Sequence, residues 1–155
     1  MYQHILVALD GSESSALAMD HAIQLAKDQR AQLRLVHVID PSVYATAASG
    51  GYPFDVTPVI EGLRQAGRQI LADAEAKARG AEVQSESELL ESGDPSERIA
   101  TIIVKDARRW RADLIVLGTH GRRGFNRIVL GSVAEGLVRM ATTPVLVVRV
   151  NPKLD

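Results

Sequence analysis

The chain contains no cysteine. That excludes disulfides, thiol nucleophiles and cysteine zinc sites. No apolar run approaches the roughly 18 residues needed to cross a bilayer. The opening Met1-Tyr2-Gln3-His4-Ile5 enters a strand directly and lacks the shape of a signal peptide, so a cytoplasmic protein is expected. Excess charge is also missing. Charged residues make up 24% of the chain, yet the formal net charge is −1, which gives no support to nucleic-acid or membrane-surface binding. Three common motifs are absent as well. No Gly-Lys-Ser/Thr follows four spacers, as a Walker A loop requires. No G-x-G-x-x-G follows the first strand, and no G-x-S-x-G nucleophile elbow occurs.

What is present alternates regularly. At 155 residues, 46% of them hydrophobic, the chain suits one domain, residues 1–155, with a proper core. Apolar runs predict strands at about His4–Leu9, Gln32–Ile39, Glu82–Leu90, Leu114–Leu117 and Val145–Val150. Between them lie helical patterns. The first is capped by Ser12 and runs to about Asp28. The second spans Ile60–Arg79 and stops at Gly80. The third opens on Asp94, with Pro95 and Glu97 completing a capping box, and the fourth opens on Ser132 with Glu135. Strand three alternates weakly and predicts an edge, whereas strand five is apolar throughout and predicts burial on both faces. Residues 41–58 read as a long loop; Tyr44, Tyr52 and Phe54 in it suit either a lid over a ligand or a cover for the neighbouring helix. Strict strand–helix alternation predicts an α/β fold, one doubly wound parallel sheet with helices on both faces.

The richest chemistry lies between Leu114 and Thr143. A buried strand ends in Gly118-Thr119-His120-Gly121-Arg122-Arg123-Gly124, and a second turn, Gly131-Ser132, opens a helix. Glycine-loop amides, the unpaired amides of a helix start and Arg122, Arg123 and Arg127 are gathered along a short stretch, as in a polyphosphate cradle. Backbone amides reach a phosphate only where no Cβ intrudes, and arginine's forked donors match phosphate oxygens. Elsewhere, His37 and Asp40 near the end of strand two read as a strand-end histidine and a loop-capping aspartate, and His21 as a surface or half-buried residue.

The spacing Gly118-x2-Gly121-x9-Gly131-Ser132 resembles the ATP-binding signature of the universal stress protein family, and the resemblance covers nearly the whole chain. It implies a five-stranded sheet of order 3-2-1-4-5. The sequence offers a separate reason for that order: the loops richest in ligand-type groups follow strands one and four, and ligands bind where the winding reverses. The resemblance also implies a nucleotide site of Ala8, Leu9, Asp10, Val38, Gly118, His120, Gly121, Arg122, Arg123, Asn126, Gly131, Ser132 and Val133. In it Asp10 lies near ribose or metal, and Val38 meets adenine through its main chain. ATP is the expected ligand, with ADP or AMP as alternatives. Asp10 would be the protein's carboxylate on Mg²⁺, since one carboxylate plus phosphates makes an acceptable site. Neither a phosphate lysine nor a second acidic metal ligand stands in these loops, so a regulator is favoured over an ATPase. A slow ATPase, or a protein autophosphorylated on Ser132 or Thr119, and a nucleotide-independent interaction dimer are the alternatives. The family resemblance implies homodimers, and the apolar strand Val145–Val150 at the sheet edge is the expected seam.

Overall fold

The computed structural model describes residues 1–49, 55–119 and 130–150. In chain order the elements are β1 (His4–Ala8), α1 (Glu13–Gln29), β2 (Gln32–Val38), α2 (Ser42–Ser49), α3 (Thr57–Gly80), β3 (Ser85–Leu90), α4 (Ile99–Trp110), β4 (Leu114–Gly118), α5 (Ser132–Met140) and β5 (Val145–Val148). The five strands form one sheet of order β3-β2-β1-β4-β5, and every pairing is parallel. This is the expected fold.

Side-chain alternation sorts the core into two layers. Ile5, Val7, Leu33, Leu35, Leu114 and Val116 face α1 and α3. Leu6, Val36, Ile115 and Leu117 face α4 and α5. Both sheet faces at β1 are therefore dry, and Ile5, Leu6 and Val7 are fully buried. Each such side chain contributes about 1.5–3 kcal/mol through burial. Among the described residues, no helix is long and apolar enough to cross a membrane.

One polar group interrupts the α4 layer. Arg34, on β2, shares a face with Leu6 and Val36, yet only 7% of it is exposed. Its Nε donates to Asp106 Oδ2 at 2.8 Å and its Nη2 to Asp106 Oδ1 at 3.0 Å. Glu86 accepts from Nη1 at 2.8 Å, and Glu88 also pairs with Nη2. The Asp106 hydrogen bonds, more than burial opposes them, hold Arg34 firmly protonated.

Several boundaries differ from the sequence reading, each for a local reason. The Ser12 cap is present, with Ser12 Oγ accepting from the Ser15 amide at 3.2 Å. The stretch 41–58 is not one loop. Asp40 Oδ1 accepts from the Ser42 amide at 2.9 Å and starts α2, and α3 begins at Thr57 with Pro58 in its first turn, where a missing N–H costs nothing. Tyr52 and Phe54 lie outside the described residues. α3 stops at Gly80, one residue past the expected Arg79, but Gly80 is not the left-handed exit. Glu82 takes the left-handed conformation, φ 59°, while the Val83 amide returns to the Ala78 carbonyl at 2.9 Å. This exit delays β3 to Ser85.

Asp94 caps no helix. Its Oδ1 accepts from the Ser96 amide at 2.8 Å, a local turn that competes with helix entry, and α4 starts later, behind Arg98. Ser132 and Glu135 form no capping box. Gly131 is the N-cap, Ser132 is already helical, and the Glu135 side chain accepts from Arg139 at 2.8 Å. Finally, β5 is not buried on both faces. Of its four residues only Val148 is buried; Val145 and Val147 on one face are half-buried, and Leu146, on the same face as Val148, is 36% exposed.

Candidate functional site

The site begins where β1 stops. Beyond Ala8, the chain turns through Gly11 at φ 79°, a left-handed conformation that suits glycine. Asp10 is held at both ends: its amide donates to Ser15 Oγ at 3.2 Å, and its Oδ1 accepts from the Ser12 amide at 2.9 Å.

β2 continues past that end. Ala8 stands opposite Val36, so Val38 lies beyond the paired region. The ladder shows which way its backbone points. Gln32 donates to Gln3 and Leu9 donates to the Val36 carbonyl, whereas Leu33 and Ile39 donate to Gln84 and Leu90 on the β3 side. Even-numbered residues of β2 thus direct their amides and carbonyls toward β1. One more rung would join the Val38 amide to the Leu9 carbonyl. Instead, His37 Nδ1 lies 2.7 Å from that carbonyl oxygen. Since a carbonyl only accepts, Nδ1 carries the proton. Among the hydrogen bonds of the described residues, none links Val38 to Leu9. The Val38 amide and carbonyl therefore face the crevice beyond β1 as an open donor–acceptor pair.

Across the crevice lies the start of α5. The Thr119 amide donates to the Val148 carbonyl at 2.9 Å, and the Gly131 amide donates to the Thr119 carbonyl at 2.8 Å. These bonds fix the helix N-terminus beside the end of β4. They also correct one expectation, because the Gly131 amide is already used. Its backbone is extended, φ −61°, so no positive φ demands glycine there. The first-turn amides of Ser132, Val133 and Ala134 have no carbonyl four residues back inside the helix and point out of its end.

These pieces line one cavity of about 530 Å³. Ala8, Leu9, Asp10, Val38, Gly118, Gly131, Ser132 and Val133 all border it. His120, Gly121, Arg122, Arg123 and Asn126 lie outside the described residues. Sequence reasoning missed the apolar wall: Val36, Ile99, Ile103, Leu117 and Ala134. Ile99 and Ile103 are four apart on α4, a spacing that by itself signals only a core-facing stripe. His37 and Asp40 also border the cavity, but each has a structural bond, as their reading predicts. His21 is exposed, again as predicted. Tyr44 does not border it; its hydroxyl donates to Glu91 Oε2 at 3.2 Å, and Arg64 of α3 donates to the same carboxylate. Tyr44 is thus a cover for its neighbours. Among the described residues, no cluster of three or more His, Asp or Glu could hold a metal by protein ligands alone.

The arrangement suits a ligand with a flat apolar body, a hydrogen-bonding edge and an anionic tail. The edge fits Val38, the body fits the aliphatic wall, and the anion fits the α5 N-terminus. Residues 1–149 match the model of the universal stress protein family. The chain belongs to the universal stress protein family. A universal stress protein of Bacillus subtilis, YxiE, is 35% identical over 153 residues, covering 96% of this chain and 100% of that protein. The crystal structure of a universal stress protein from Burkholderia pseudomallei is 36% identical, with a TM-score of 0.75 over 95% of this chain and 96% of that one. Another structure, a universal stress protein in complex with cAMP, is 27% identical, with a TM-score of 0.64 over 96% of this chain and 98% of that one. The family resemblance carried by the Gly118–Ser132 spacing is borne out.

Proposed function

We propose that this universal stress protein binds an adenine nucleotide in the cavity between β1, β2, β4 and α5, and works as a cytoplasmic, nucleotide-responsive regulator in a stress response. The observation that carries the reading is the open Val38 edge facing the same cavity as the first-turn amides of α5. Adenine's N1 accepts from an amide and its exocyclic amine donates to a carbonyl, so Val38 offers the complementary pair. The aliphatic wall takes the ring faces. Ser132, Val133 and Ala134 supply amides for phosphate. The bound cAMP in one similar universal stress protein supports an adenine ligand here too.

ATP is the preferred occupant, with ADP and AMP as shorter ones. By the spacing of the glycine signature, Gly121, Arg122, Arg123, Asn126 and His120 belong to the proposed phosphate site, and a triphosphate calls for Mg²⁺, to which Asp10 is the protein's carboxylate. Regulation is favoured over turnover because neither a phosphate lysine nor a second acidic metal ligand stands in the loops of the site. His37 Nδ1 is committed to Leu9, and Asp10 and Asp40 each accept a backbone amide. The acting unit is a homodimer paired along β5. The strand's open edge and the exposed Leu146 and Val138 support that seam.

Isothermal titration with ATP, ADP, AMP and GTP, with and without Mg²⁺, tests the assignment. Saturable binding of adenine nucleotides in preference to GTP is expected; heat traces indistinguishable from buffer for all four overturn it.

A further inference from the structure

The unused rung between β1 and β2 gives His37 a role of its own. Its side chain points to the α3 face of the sheet, as do Leu35 and Leu33, two and four residues earlier. There the ring is pressed between the strand end and α3. A Cβ on Gly67 would stand 2.7 Å from His37 Cδ2 and 2.6 Å from Leu89 Cδ1. Gly67 is thus the bare spot on α3 that lets the ring lie flat enough for Nδ1 to reach the Leu9 carbonyl at 2.7 Å. The ring reaches that carbonyl from the α3 side, and the Val38 amide makes no bond to it.

We infer that His37 is a positioning residue: by capping the Leu9 carbonyl it ends the β1–β2 ladder one rung early and keeps the Val38 amide and carbonyl open to read a purine base. The inference rests on the nucleotide reading above. It assigns base selectivity, not phosphate binding, to the ring. A hydrocarbon side chain at position 37 would release the Leu9 carbonyl. The Val38 amide would then close the next rung, as parallel ladders do wherever both strands continue, and the base edge would be lost.

Three variants of the full-length chain test this. His37→Leu removes the donor. His37→Asn keeps an amide N–H near the place of Nδ1. Gly67→Ala adds the Cβ that displaces the ring without touching the cavity. Two quantities are read. One is hydrogen exchange of the Val38 amide in ligand-free protein. The other is the ratio of ATP to ITP affinity, because hypoxanthine reverses the donor and acceptor of adenine's edge while leaving ribose and phosphates unchanged.

In wild type, the Val38 amide exchanges fast and ATP is preferred over ITP by roughly tenfold, the worth of one to two net hydrogen bonds. In His37→Leu that amide becomes protected and the ratio falls toward one, while ITP affinity stays near wild type. His37→Asn restores both readouts, and Gly67→Ala moves them partway toward His37→Leu. A purely structural histidine would lower ATP and ITP affinity together and leave the ratio unchanged, which overturns the inference. So does a wild-type Val38 amide that is already protected. If His37→Leu fails to fold, Gly67→Ala decides by the same two readouts. A wild type that binds neither nucleotide sinks the nucleotide reading and this role with it, whereas a wild type that binds ATP selectively and a His37→Leu that does so equally well overturns the role of His37 alone.

Discussion

Gly118 lies directly against Ser14. A Cβ on Gly118 would stand 2.6 Å from the Ser14 carbonyl carbon and 2.7 Å from its Cβ, closer than packed atoms come. Ser14 is in the first turn of α1 and buried, so α1 has no room to retreat. The glycine that ends β4 is therefore required by helix-on-strand packing, whatever it also does for a ligand. Gly118→Ala should lower stability by about 1–3 kcal/mol, the usual cost of overpacking a core. Urea denaturation of purified variant and wild type measures it, and equal midpoints would mean that α1 yields without strain.

Gly131 presents the opposite case. Its backbone is extended, and a side chain there adds bulk at the mouth of the cavity. Gly131→Val should keep stability within about 1 kcal/mol, a small change for a site away from the core, yet weaken ATP binding strongly by blocking approach to the α5 amides. Unchanged ATP affinity by titration would remove this helix start from the phosphate site.

The Arg34–Asp106 pair is buried, and cutting one partner leaves the other charge uncompensated. Asp106→Ala should cost about 3 kcal/mol, near the low end for broken buried pairs, since Glu86 and Glu88 still accept from the guanidinium. Joining it with Arg34→Met should recover part of the loss, because two hydrocarbon side chains leave no buried charge, while Glu86 and Glu88 reach solvent. A double-mutant cycle in urea gives the coupling; strictly additive losses would show the pair to be energetically idle.

Glu91 ties three elements together. Hydrogen bonding from Arg64 is the main cause that holds its carboxyl below the ordinary glutamate value, with Tyr44 adding to it and burial opposing. A carboxylate depressed in the folded state stabilises the fold above its unfolded value, near 4.5. That stabilisation is lost as pH falls through the depressed folded value. The stability curve of Glu91→Gln should therefore be flatter than that of wild type between about pH 5 and pH 3. Parallel curves would show that the pair contributes nothing to acid sensitivity.

The ladder also sharpens a test of the dimer. Ile115 donates to Pro144 and Thr119 donates to Val148, so the even residues of β5 face β4 and the Val147 amide faces the open edge. Val147→Pro removes an edge donor and spares the β4 ladder. The expected outcome is a folded monomer by sedimentation, from a wild type that is dimeric at micromolar concentration. A monomeric wild type would refute the β5 seam.

The sequence by itself determined the layers, the strand order and the family. Period-two and period-3.6 apolar patterns are summed over many residues, so single errors do not matter, and a glycine spacing survives without knowledge of any contact. Helix ends were less legible. Asp94, Gly80 and the Ser132–Glu135 pair each carried a sound capping signal, but Asp94 closed its own turn, Glu82 took the left-handed exit, and Glu135 turned to Arg139. Such competitions are settled by small energies between near neighbours. Other features belonged to the tertiary structure alone. That Arg34 meets Asp106, that Gly118 must accommodate Ser14, and that His37 takes a rung from Val38 depends on which side chains the parallel register brings face to face. Residues far apart in the chain have no shared periodicity that could announce it.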